Sequence, residues 1–156
     1  MRVRSSLLLS LVVAVGGCGS STDVAATVTL DCTTIAKSLP AGAASFVTTA
    51  DGLKYGDVTV GTGATFVLGN PVSVHYAGCL TNGTRFDANE SPTSPLSFTL
   101  GNTGIIAGFN EGLTGMKVGG TRQIIIPPAL GYGSTAVGAI PPNSTIVFTV
   151  NAVSTP

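Results

Sequence analysis

The chain holds no tryptophan, a single histidine and three cysteines, and only 9% of its residues are charged. Any serine or cysteine nucleophile would have to find its base in His75, because covalent catalysis of that kind needs a base beside the nucleophile. His75 alternates away from the apolar face of its strand and suits that role poorly. One histidine and three cysteines, with no C-x-x-C or H-x-x-x-H spacing among them, supply no set of metal ligands, so no metal and no cofactor is expected. Seven Lys and Arg balance seven Asp and Glu, and no basic run exceeds the scattered pair Arg2 and Arg4. That balance excludes the electrostatic footprint of a nucleic-acid-binding protein. A long hydrophobic run is missing too: the apolar stretch at residues 7–15 falls short of the roughly 20 residues that a spanning helix requires. Gly61-Thr62-Gly63 opens no long helix, so it is not a phosphate-binding loop.

What is present begins with a leader. Two arginines, the apolar stretch and then small residues give residues 1–17 the layout of a secretory signal peptide. Val15-Gly16-Gly17-Cys18 resembles the lipobox of bacterial lipoproteins, with Val15 where leucine is usual. The resemblance implies cleavage before Cys18, a lipid on its thiol and an extracytoplasmic, membrane-anchored protein of the cell envelope. Gly19 after Cys18 would suit the outer membrane, facing the periplasm, in a Gram-negative cell. Ordinary cleavage near Gly16 or Gly17 would instead leave a secreted or periplasmic protein. Either cleavage removes Arg2 and Arg4 from the seven basic residues, leaving five against seven acidic ones, a weakly acidic mature chain. With Cys18 lipidated, Cys32 and Cys79 remain as an even pair in an oxidising compartment and are the candidate disulfide.

Residues 18–45 are rich in Ser, Thr, Ala and Val with no sustained helical period, and read as a lipidated flexible tether. Such a tether would reach roughly 25–30 Å. Residues 46–156 read as one domain, in which short alternating runs are separated by Gly, Asn, Asp and Pro, the pattern of antiparallel sheet. Strands are expected at 53–60, 72–80, 96–100, 121–126 and 145–153. Alternation puts Val72, Val74 and Tyr76 on one face of the second strand and Ser73, His75 and Ala77 on the other. Ile106, Phe109, Leu113 and Met116 follow helical spacing within 105–116, so one short helix should lay that stripe on the sheet. Three glycines make it a poor helix by itself, at about 1 kcal/mol each relative to alanine, so packing must hold it. The chemistry-bearing residues are mostly aromatic and aliphatic, with Tyr76, Asp87 and Tyr132 as polar exceptions. That composition suits a small apolar pocket with a few oriented polar groups.

The motifs Gly52-Leu53-Lys54-Tyr55, Val72-x-Val74-His75-Tyr76-x-Gly78 and Gly83-Thr84-Arg85-Phe86-Asp87 are followed by Phe98-x-Leu100-Gly101 and Ile105-Ile106-x-Gly108-Phe109. Gly115-Met116-x-Val118-Gly119, Gly131-Tyr132-Gly133 and Ile140-Pro141-Pro142-Asn143-x-Thr145-x-x-Phe148 complete the series. In their order and spacing these motifs resemble the FKBP-type peptidyl-prolyl cis-trans isomerases over residues 48–153. The resemblance implies an α+β fold, a twisted antiparallel sheet of five to six strands wrapped around one short α-helix. It also implies an enzyme that speeds rotation about X-Pro bonds in proline-containing polypeptides, with no nucleophile, metal or other cofactor. A monomer is expected. Carried over position by position, Tyr76, Asp87 and Tyr132 are the expected catalytic residues, and Phe86, Leu96, Ile105, Ile106, Phe109, Ile140 and Phe148 the substrate-binding ones. Phe98, Leu100, Ile124, Ile126 and Met116 are read as core. Phe109 stands where the family has tryptophan, Leu96 where many members have phenylalanine, and Pro92 where an arginine often accompanies the acidic residue. Weaker affinity for macrolides such as rapamycin is expected from the smaller ring at Phe109. The short segment between Gly133 and Ile140 carries no chaperone flap and no histidine-rich tail.

Overall fold

The computed structural model describes residues 46–156. The expected signal peptide, Cys18, the expected tether and Cys32 lie outside the described residues. Seven strands form: β1 (Val47–Thr48), β2 (Lys54–Thr59), β3 (Pro71–Leu80), β4 (Arg85–Asn89), β5 (Leu96–Thr99), β6 (Thr121–Ile126) and β7 (Ile146–Ser154). Between β5 and β6 lies one helix, α1 (Ala107–Leu113), and a 3-10 turn (Pro128–Leu130) follows β6. The strands run in the order β1-β2-β6-β7-β3-β4, with β5 also pairing β3, and every pairing is antiparallel. The expected class, an antiparallel sheet with one short helix, is the one observed. The strand count exceeds the five to six expected, because β1 and β4 were not read from the alternation.

β4 escaped because it carries a bulge. Gly78 pairs with Asp87 and Cys79 with Arg85, which leaves Phe86 as an extra residue between them. A bulge re-aims side chains that strict alternation would send to opposite faces. Here Phe86 and Asp87, adjacent in sequence, both reach the inner side: the Phe86 ring covers Gly78, and Asp87 meets Tyr76.

The core is the inner face of the sheet, where Val72 and Val74 of β3, Ile124 and Ile126 of β6, and Ile146 and Val150 of β7 are buried with Leu53, Leu100, Leu113 and Met116. α1 lies directly on β6. A Cβ built on Gly108 would stand 2.5 Å from Ile126 Cγ2, and one on Gly112 would stand 2.5 Å from Ile124 Cγ2. Two of the glycines that weaken the helix are therefore the face by which it approaches the sheet. The helix is shorter than its apolar period: Thr114 is already extended, and Gly115 has φ +79°. Met116 still reaches the core from beyond the helix end.

Arg122 of β6 ties that end down. Its Nε donates to Asp57 Oδ1 at 2.7 Å and its Nη2 to Asp57 Oδ2 at 3.1 Å, while Nη1 donates to the carbonyls of Gly112 at 2.9 Å and Thr114 at 3.1 Å. The guanidinium also lies 4.7 Å from the centre of the Tyr55 ring. A buried cation is thus balanced by a carboxylate and by the carbonyls that a helix C-terminus leaves unpaired.

His75 falls on the face opposite Tyr76, as alternation required, and pairs across the sheet with Asn151. That face is not uniformly open: Ala77 is 1% and Cys79 2% exposed, and Cys79 is disulfide-bonded. The other cysteines, Cys18 and Cys32, both lie outside the described residues.

Candidate active site

Each wall of the site comes from a different element. β3 supplies Tyr76, β4 supplies Asp87, β5 supplies Leu96, α1 supplies Phe109 and β7 supplies Phe148. Gly104, Ile105 and Ile106 come from the segment leading into α1, and Tyr132 from the loop after the 3-10 turn. Together they line a cavity of about 170 Å³. That is well below the roughly 300–1,000 Å³ of pockets that take drug-sized ligands, and it suits one compact side chain.

The floor is aromatic. Phe109 and Phe148 meet edge-on with ring centres 4.9 Å apart, and Tyr76 stands edge-on to both at 5.9 and 5.8 Å. Such arrangements add about 0.5–1.5 kcal/mol per pair beyond area burial, so the floor is stiff before anything binds. Phe98, read from the sequence as core, is only partly buried; it packs against the core cluster with its ring centre 6.1 Å from that of Phe109.

The polar groups sit at the rim. The Tyr76 hydroxyl donates to Asp87 Oδ2 at 2.7 Å. Burial pushes the Tyr76 phenol well above its ordinary pKa, and the hydrogen bond to Asp87 and the charge of Asp87 push the same way. Tyr132 is raised by burial first and then by the charge of Asp87. Both phenols therefore keep their protons at neutral pH, and the Tyr76 proton is the one donated to Asp87. Asp87 has no ion-pair partner among the described residues; the nearby Arg85 is exposed and pairs instead with Glu90 at 2.5 Å. The missing arginine implied by Pro92 has thus not been replaced, and the one described partner of the Asp87 carboxylate is a phenol.

A backbone donor completes the rim. Among the described residues the Ile106 N–H donates to nothing, although Ile106 lines the cavity. The first N–H groups of a helix lack partners within it, which is how such a donor comes to be available. No group of three His, Cys, Asp or Glu that could hold a metal ion occurs among the described residues.

Of the residues singled out from the sequence, Tyr76, Asp87, Tyr132, Leu96, Ile105, Ile106, Phe109 and Phe148 are brought together in this cavity. Phe86 and Ile140 are not in its lining. They border an adjoining hollow of about 230 Å³ with Val137, Gly138 and Ala139, which shares Asp87 and Tyr132 as its common wall. Phe86 still supports the first cavity from behind, edge-on to Phe148 at 5.7 Å. Gly104 was missed, since a glycine contributing only backbone to a wall leaves no side-chain signal.

Residues 63–153 match the family model described as FKBP-type peptidyl-prolyl cis-trans isomerase. The chain belongs to this family. An "FK506-binding protein" of Neisseria meningitidis serogroup B is 45% identical over 100 residues, which are 64% of this chain and 92% of that protein. "FK506-binding protein 3" of Candida albicans is 49% identical over 98 residues, 63% of this chain but only 23% of that longer protein. The crystal structure of FkpA from Escherichia coli superposes with a TM-score of 0.64 at 41% identity, covering 70% of this chain and 51% of that one. The family match thus covers most of the described part of the chain, while some FKBP relatives carry the domain within much longer proteins.

Proposed function

We propose that this FKBP domain accelerates rotation about X-Pro peptide bonds in exported or envelope proteins, with the aromatic cavity as its active site. The observation that carries the reading is the ring-sized cavity floored by Phe109 and Phe148, with the Tyr76 and Tyr132 hydroxyls, the Ile106 N–H and one carboxylate among its lining residues. A proline ring seats on that floor, walled by Tyr76. The Ile106 N–H and the Tyr132 hydroxyl each hold a peptide carbonyl, which keeps the chain bent. Amide resonance sets a barrier of about 18–20 kcal/mol to rotation. A planar amide is more polar than a twisted one, so a dry, apolar site destabilises the starting state relative to the transition state. No bond is made or broken, and no nucleophile or cofactor takes part. Asp87 orients the Tyr76 hydroxyl and sets the local field near the twisting carbonyl.

The same reading places the domain outside the cytoplasm. Residues 1–17 are removed as a signal peptide, Cys18 is lipidated, residues 18–45 tether a monomeric domain to the membrane, and Cys32 is the disulfide partner of Cys79. The supports are the lipobox-like Val15-Gly16-Gly17-Cys18 and the disulfide-bonded state of Cys79, which belongs to an oxidising compartment. Fatty-acid labelling that is lost in Cys18→Ala tests the anchor; equal labelling of both forms would reject it.

A protease-coupled assay of a proline peptide tests the activity. The purified chain should speed isomerisation, and Asp87→Val and Tyr132→Phe should each lower kcat/KM by about tenfold or more, the scale of one lost oriented interaction. Both variants should unfold cooperatively near the wild-type midpoint. Peptide binding without rate enhancement would instead identify a proline-peptide-binding module.

A further inference from the structure

Asn110 lies inside α1, next to Phe109, and is 9% exposed. Its side chain is fully engaged with the segment that enters the helix. The Gly101 N–H donates to Asn110 Oδ1 at 2.8 Å, and Asn110 Nδ2 donates to the carbonyls of Asn102 at 3.0 Å and Ile105 at 3.2 Å. Both amide protons and the amide oxygen are therefore committed. The Ile105 carbonyl and the Ile106 N–H belong to one peptide unit, and no cis peptide bond occurs among the described residues. In a trans peptide the carbonyl and the N–H point in opposite directions. Drawing the Ile105 oxygen toward Asn110 therefore turns the Ile106 N–H away from it, and that N–H is the unpartnered donor at the cavity wall.

We propose that Asn110 is a positioning residue for proline-peptide binding: its carboxamide fixes the Ile105–Ile106 peptide plane so that the Ile106 N–H faces a substrate carbonyl. This rests on the reading of the cavity as a proline-peptide site. Asn110 itself touches no substrate.

Asn110→Asp is nearly isosteric, keeps the acceptor for Gly101 and removes both donors. The expected result is a rise in KM for a proline peptide of about tenfold, the usual worth of one oriented hydrogen bond, with a smaller change in kcat. The Ile106 amide resonance of the free protein should also move, and it should no longer respond to added peptide. Leu113→Val, at the opposite end of the same helix, should lower stability while leaving KM and the Ile106 resonance in place. In the wild type, a through-hydrogen-bond coupling between the Asn110 side-chain amide and the Ile105 carbonyl should be measurable. An unchanged KM and Ile106 resonance in a folded Asn110→Asp, an equal KM rise in Leu113→Val, or the absence of that coupling would overturn the proposal. A wild type that fails to catalyse isomerisation defeats the functional reading instead. The coupling and the free-protein resonance still report on Asn110 in that case.

Discussion

Replacing Gly108 or Gly112 by alanine sets two physical effects against each other, and the structure says which wins. Helix propensity alone favours alanine by about 1 kcal/mol at each site. Against it, the new methyl at Gly112 would stand 2.5 Å from Ile124 Cγ2 and 2.9 Å from its Cδ1, and at Gly108 2.5 Å from Ile126 Cγ2. Overpacking of a filled core costs about 1–3 kcal/mol. Both isoleucines are fully buried, and β-branched side chains are stiff at χ1, so neither can swing clear and the upper part of that range applies. Subtracting the propensity gain leaves a net loss of about 1–2 kcal/mol for each variant, a fall in Tm of roughly 5–10 °C for a domain of this size. Urea unfolding with an unchanged m-value is the assay. A double-mutant cycle adds a second reading. Ile124→Ala alone should cost about 2–5 kcal/mol, but less in the Gly112→Ala background, because the new methyl occupies part of the space vacated. Since α1 carries Phe109, pushing it off β6 should also lower isomerase activity. A Gly112→Ala variant as stable as the wild type, or more so, would refute the account of how the helix is seated.

Removing the Arg122 guanidinium in Arg122→Met strands Asp57 and two helix carbonyls and should destabilise the domain by about 3–5 kcal/mol, read as a lowered urea midpoint. A loss under 1 kcal/mol would mean that water replaces the cation at little cost. The tyrosines predict an alkaline limit. The folded pKa values of Tyr76 and Tyr132 lie above the unfolded value of about 10, so the stability they contribute is fully present below that pH. It is lost as pH rises through the folded values. Denaturation midpoints should therefore fall from about pH 10 upward, and the fall should be shallower in Tyr76→Phe; an identical slope in both proteins would reject the assignment.

How far the sequence carried the reading depended on whether a feature was made by side-chain period or by backbone approach. Period exposed β3 and β6 almost to the residue, because Val72, Val74, Ile124 and Ile126 are buried on one face at every second position. It failed at β4, where the bulge at Phe86 places two consecutive side chains on the same face, and at β1, whose two residues carry no period at all. Most of the cavity residues were legible only through family motifs, since alternation places a tyrosine on an inner face but does not say that it borders a cavity.

Asn110 shows what a stricter reading of period would have found. Positions 106, 109, 110 and 113 are i, i+3, i+4 and i+7, so Asn110 lies on the same buried stripe as Phe109 and Leu113. Asparagine is also a poor helix former, because its side chain competes for backbone groups. A buried polar group needs partners, and the first turn of a helix leaves backbone groups unpaired close by; here the partners are Gly101, Asn102 and Ile105 of the segment entering the helix. A polar residue inside an apolar stripe beside a helix start thus implies, from sequence alone, that the entry loop is tied to the helix. Which peptide plane it ties could be read only from the structure.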